Sequence, residues 1–356
     1  MPGHNPVWVD CDPGHDDAFA MALAAQHPDF NLLGISTIHG NASLEATTDN
    51  ALSVLTALNR TAVPVYPGVK KPFCRPPTHC GPPRKSTPGK TGIDGADDLP
   101  KPATGPQTDK HAVIAMRDTL LAQPKGTAWL VLLDSFTNIA LLMTLFPAVA
   151  DHIKGLTIMG GAIGGGHTNA PTSQMKPGET DRIGNATLWA EFNAYCDPES
   201  SRAIFSNPIL AKKTTLLPLD VTHLALIEDY VIDLMLNGPP GIGTTTAPSK
   251  TRVIFTDLLK FFRAVYRKAQ NLDGPLHDPL AVAAILDQEG VEDIGFDYRD
   301  GERFAIEFVL EGEQVGRTIA TPLPPGSEGV RIPRGLNVPE FWRVVERALA
   351  ANEEGR

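Results

Sequence analysis

The chain has 356 residues, 42% of them apolar and 20% charged, and its net charge is −10. This balance excludes a disordered polymer, and with no Lys/Arg-rich run to override it, it excludes a nucleic-acid-binding surface. No apolar stretch is long enough to cross a bilayer and residues 1–6 lack a secretory pattern, so no membrane partner is expected.

The first apolar run, Val7–Asp12, predicts a strand that passes through Pro13-Gly14 into a helix over Asp16–Gln26. Strand Leu32–Ile38 and helix Leu44–Leu58 follow, then helix His111–Leu121, strand Trp129–Leu133 and helix Asn138–Leu145. Leu156–Met159 and Thr214–Leu219 read as further strands, with a helix over Glu199–Phe205 between them. A long amphipathic helix, Arg252–Ala269, a helix Leu280–Leu286, a late strand Ala305–Leu310 and a closing helix Val338–Ala351 complete the pattern. Continuous apolar strands alternating with helices predict an α/β fold: an open, mostly parallel, Rossmann-like sheet with helices on both faces. Ligands of such sheets bind beyond the carboxyl ends of the strands. We expect a single domain over residues 1–356, with two long polar loops, about 72–106 and 164–184, near the pocket. The four cysteines lack CxxC spacing, so reduced thiols and a cytoplasmic location are expected.

Asp10-Cys11-Asp12-Pro13-Gly14-His15-Asp16-Asp17 is the densest chemistry in the chain. Four carboxylates at a strand end repel one another, and burying them is costly without a cation. Oxygen-only donors suit Ca²⁺ or Mg²⁺. The spacing alone equally fits an Asp-rich capped turn. Taken singly, Gly40-Asn41 reads as a turn and His277-Asp278-Pro279 as a helix start.

Taken together, these segments resemble the inosine-uridine-preferring nucleoside hydrolase family. The landmarks are Asp10–Ala18, Gly40-Asn41, Met159-Gly160-Gly161-Ala162 with Gly184-Asn185 and Ala190-Glu191-Phe192-Asn193, and Leu276-His277-Asp278-Pro279. They occur in order over roughly residues 7–290, and His15 with the Gly329–Trp342 tail is most similar to fungal uridine-nucleosidase-like members. The resemblance implies the nucleoside hydrolase fold and Ca²⁺-dependent cleavage of the N-glycosidic bond of a ribonucleoside. Uridine is favoured, inosine or cytidine being further substrates, in nucleoside salvage by a homodimer or homotetramer. It implies Asp12, Asp17, Asp278 and the Thr137 carbonyl as metal ligands, and Asp16 as the general base toward the attacking water. Asn41, Asn185, Glu191 and Asn193 are implied to hold the ribose, His277 to serve the leaving base, and Asp10 to orient the loop. His79 and Tyr266 are further candidates beside His277, more readily read as surface or packing residues.

One turn departs from the family pattern. Asp134-Ser135-Phe136-Thr137-Asn138 stands where relatives usually carry Gly-Pro-hydrophobic-Thr-Asn, which puts the carbonyl ligand in question. Two other classes compete with hydrolysis of nucleosides. A Mg²⁺-dependent phosphohydrolase can also begin with Asp-x-Asp, but it needs phosphate-binding Thr and Lys partners that do not stand out here. A non-catalytic nucleoside- or ribose-binding protein would share the fold but has no use for Asp16.

Overall fold

A computed structural model describes residues 5–77, 91–176, 178–240 and 247–354. In chain order its elements are β1 (Asn5–Cys11), α1 (His15–Gln26), β2 (Phe30–Thr37), α2 (Leu44–Ala57), β3 (Val65–Pro67), α3 (Ala112–Ala122), β4 (Trp129–Leu132) and α4 (Thr137–Leu145). Next come α5 (Ala148–His152), β5 (Gly155–Met159), α6 (Phe192–Cys196), α7 (Pro198–Phe205), α8 (Pro208–Ala211), β6 (Thr214–Leu217) and α9 (Leu219–Thr222). The last third holds α10 (Asp229–Asn237), α11 (Lys250–Gln270), α12 (Pro279–Gln288), β7 (Phe304–Phe308), β8 (Thr318–Pro322) and α13 (Val338–Glu354).

Six strands form one parallel sheet in the order β3-β2-β1-β4-β5-β6. All five strands predicted for it are present. The unpredicted sixth, β3, has only three residues and ends in Pro67, which an edge strand tolerates because one side needs no ladder hydrogen bond. β7 and β8 form a separate antiparallel pair.

The sheet's order reverses between β1 and β4, so the chain leaves these neighbours in opposite directions and a crevice opens between them. Helix α1 leads out of β1 and packs against α2, α11, α12 and α13. Every one of its residues is buried, as expected for a helix that is apolar all round between its acidic first turn and Gln26. The strands carry large side chains into the same core, and glycine supplies the space opposite them. Gly34 lies against the Trp8 ring and Gly155 against Trp129.

Candidate active site

The carboxyl end of β1 delivers the acidic segment. Pro13-Gly14 turn the chain, and α1 begins with Asp16 and Asp17 in its first turn, where the helix dipole favours negative charge. The Asp17 carboxylate accepts from the Gly14 N–H at 2.9 Å and so closes the helix start. From the end of β2, the Asn41 N–H donates to Asp12 Oδ2 at 2.5 Å, and its amide donates to the Asp12 carbonyl at 3.2 Å. The Gly40 backbone passes so close to Asp12 that a Cβ there would collide with the carboxylate.

Beyond β5, Glu191 caps α6. Its carboxylate accepts from the N–H groups of Gly161 (2.8 Å), Asn193 (2.7 Å) and Ala194 (3.0 Å). Asn193 donates its amide to the carbonyls of Leu133 (3.0 Å) and Met159 (3.4 Å), stitching the ends of β4 and β5 together. Its amide oxygen remains an acceptor. Asn185 arrives on the second long loop, where buried Arg182 pairs with Glu179 and donates to the carbonyls of Gly184 and Thr187. Asn185 Oδ1 accepts from the Phe192 N–H at 2.9 Å.

Asp12, Asp16, Asn41, Asn185, Glu191, Asn193, His277 and Asp278 line one cleft, together with His15, Phe262, Tyr266 and Gln270. Asp17 lies in its floor: oxygens of Asp16, Asp17 and Asp278 fall within 4.8 Å of one another. Burial, then mutual repulsion, pushes Asp16 up to about 8 and lifts Asp12 and Asp278 well above the carboxylate range. Asp17, raised mainly by burial, sits at about 6. Among the described residues no Lys or Arg lines the cleft, and buried Asp17 Oδ1 has no hydrogen-bond partner there. An all-oxygen donor set with an orphaned carboxylate oxygen fits a hard divalent cation.

Besides Asp17, two of the predicted residues do not line the cleft. Asp10 is fully buried below it, accepting from Ser36 Oγ and from Asn138 Nδ2 at 2.9 Å. Thr137 opens α4, and its hydroxyl donates to Asp197 Oδ2 at 2.7 Å. The unusual turn before it is built by Asp134, whose Oδ1 accepts from the Phe136 N–H at 2.9 Å and holds Phe136 at φ 70°, in the left-handed region. Asp134 thus closes this turn with its own side chain.

His277 is buried at the opposite wall, where burial holds its imidazole well below the usual range. Its Nδ1 pairs with Thr222 Oγ1 at 2.7 Å and its Nε2 with the Tyr266 hydroxyl at 2.9 Å. Tyr266, first read as surface or packing, is therefore a member of the site. Phe262 and Tyr266, one turn apart on α11, face the cleft together. That i, i+4 pair was the available signal, but periodicity alone does not say which wall the face meets. His79 lies outside the described residues.

Residues 7–343 match the model of the inosine-uridine preferring nucleoside hydrolase family. The chain is 34% identical over 353 residues to the uridine nucleosidase of Saccharomyces cerevisiae, covering 97% of this chain and 95% of that protein. It is 30% identical over 348 residues to the pyrimidine-specific ribonucleoside hydrolase RihB of Escherichia coli, with 96% of each covered. Among solved structures, a purine-preferring ribonucleoside hydrolase from Gardnerella vaginalis superposes with a TM-score of 0.76 at 24% identity, covering 98% of this chain and 99% of that one. A plant nucleoside hydrolase gives 0.77 at 22% identity, with 97% and 99% covered, and both share the fold. The chain belongs to the inosine-uridine preferring nucleoside hydrolase family, enzymes that hydrolyse N-glycosyl bonds.

Proposed function

We propose that the protein hydrolyses the N-glycosidic bond of ribonucleosides, uridine first, in a Ca²⁺-dependent reaction that yields ribose and free base. The observation that carries this reading is one cleft in which carboxylates cluster on the floor and amide side chains line the ribose side. Such a set can bind a vicinal diol and stabilise positive charge at an anomeric carbon.

In this reading Asp12, Asp17 and Asp278 would hold the ion, which when bound lowers the pKa of the attacking water and offsets the carboxylates' repulsion. Asp16 takes the proton from that water. The water oxygen forms a bond to the anomeric carbon while the glycosidic pair departs onto the base nitrogen. Asn41, Asn185, Glu191 and Asn193 orient the sugar, and Asp10, held by Ser36 and Asn138, steadies the strand end. The His277–Tyr266 pair serves the departing base, relaying a proton toward it.

Uridine preference rests on the Saccharomyces and Escherichia relatives. Nucleoside salvage follows from the products, each reusable as a precursor. Cytoplasmic location fits the free thiols of Cys11, Cys74 and Cys196, and a homodimer or homotetramer is the assembly the family resemblance implies. No described helix is long and apolar enough to cross a membrane.

The test is a panel of uridine, cytidine, inosine, adenosine and guanosine, followed by ribose release in the presence and absence of Ca²⁺. Uridine is expected to turn over fastest. Absence of cleavage with all five, alongside retained ribose binding, would return the protein to the binding class.

A further inference from the structure

His15 lies inside the acidic motif, yet its side chain serves neither the metal floor nor the ribose contacts proposed above. Its ring lies flat on Phe261, with centroids 5.1 Å apart and planes 9° from parallel, and it also touches Phe262 at 5.7 Å. The His15 Nε2 is 2.7 Å from the Asp94 carbonyl. A carbonyl only accepts, so Nε2 carries the hydrogen. Three distant pieces of chain therefore meet at one imidazole: the start of α1, the segment 91–95 and the helix α11.

That segment is the Thr91-Gly92-Ile93-Asp94-Gly95 stretch of the first long loop. It is bound at further points besides His15. Asn50 donates its amide both to the Thr91 carbonyl (2.7 Å) and to the Pro13 carbonyl (2.9 Å). Ile93 is buried in the core. Gly95, at φ +91°, sits where any Cβ would collide with the Phe261 ring. None of residues 91–95 is among those lining the cleft, whereas Gly14, His15 and Phe262 are. The segment stands behind the cleft wall and props up the residues that form it.

We infer that His15 is a positioning residue, which pins segment 91–95 between the metal motif and α11 and thereby fixes Phe262 on the base side of the cleft. The inference rests on the nucleoside reading of this cleft. Releasing the latch lets the base wall recede while Asp16 and Asp17 remain anchored by the helix start and by their own hydrogen bonds. The loss falls on capture of the nucleoside rather than on the chemical step.

Two measurements on the full chain test this. In the first, His15→Ala is expected to raise KM for uridine roughly tenfold, the size set by one hydrogen bond and one aromatic contact, with kcat within about twofold of wild type. Gly95→Ala breaks the same latch from the other side and is expected to reproduce that split even if His15→Ala fails to fold. An unchanged KM in both variants, or a fall in kcat with KM unchanged, overturns the inference. In the second, hydrogen exchange at the amides of residues 92–95 reads the latch without turnover. Faster exchange in His15→Ala supports it and unchanged exchange overturns it. A wild-type protein inactive on every nucleoside would sink the proposed reaction, while the exchange measurement would still decide whether His15 holds the segment.

Discussion

The Tyr266 hydroxyl and His277 Nε2 are 2.9 Å apart, and the other imidazole nitrogen of His277 is held by Thr222. Both ring nitrogens are thus engaged before any substrate arrives, and the hydroxyl extends the imidazole into the cleft. Neither group on its own supplies a proton readily, because burial drives the His277 pKa well down and the tyrosine's up. Their hydrogen bond gives the pair a route that shares the proton between them.

Tyr266→Phe removes that route and leaves a buried nitrogen unpaired. We expect kcat on uridine to fall by roughly 10²-fold, within the range for loss of general acid catalysis, with KM little changed. A ribonucleoside analogue with an activated leaving group, which needs no proton, is expected to be cleaved at near wild-type rate. Equal losses on both substrates would place the tyrosine outside proton transfer.

Asp16 belongs to the oxygen cluster of the floor and lines the cleft itself. Asp16→Ala is expected to keep ribose binding while turnover drops about 10²- to 10⁴-fold, as for removal of a general base. Calorimetric titration with ribose beside the uridine assay separates the two effects. Hydrolysis at the wild-type rate would refute the assigned base.

The carboxylate floor predicts a stability that depends on the ion. Elemental analysis should find Ca²⁺ bound, and at about a hundred times its dissociation constant the ion should stabilise the fold by about 2.7 kcal/mol. Chelation should lower Tm accordingly. Asp278→Asn removes one charge from the cluster, so its apo form is expected to be as stable as wild type or more so, while its Tm responds only weakly to added Ca²⁺. A full calcium response in that variant would exclude Asp278 as a ligand.

His223 supplies a pH dependence away from the carboxylates. Burial lowers its pKa from 6.5 to about 4, and its Nδ1 lies 2.8 Å from the Pro171 carbonyl. The unfolded chain therefore binds this proton first as pH falls. The contribution is fully present above pH 6.5 and is lost as pH drops through about 4, amounting to about 3 kcal/mol at the acid end. His15 and His277 are lowered in the same sense and the carboxylates shift oppositely, so the quantity to measure is wild type minus His223→Asn. In urea melts between pH 7 and 4 that difference should shrink steadily with acid. A constant difference would mean that His223 does not titrate in this window.

Chain-local physics made much of this protein readable in its sequence. Five apolar runs of strand length, each followed by a helical period, required a parallel sheet, and ligands of such sheets collect at the strand ends. The four acidic residues of positions 10–17 crowd one strand end, so their mutual repulsion was visible without coordinates, although spacing alone left a cation site and an Asp-rich capped turn equally open. What sequence could not convey was which distant side chains share a wall. Asn138 reaches Asp10 across 128 residues and Tyr266 meets His277 where α11 folds back over the cleft. His15 shows the limit most plainly. By position it belongs with Asp16 and Asp17, but its ring stacks on Phe261 and donates to the Asp94 carbonyl. Covalent neighbours fix the local conformation, whereas partners are chosen by how the helices pack, a choice made by burial summed over the whole core.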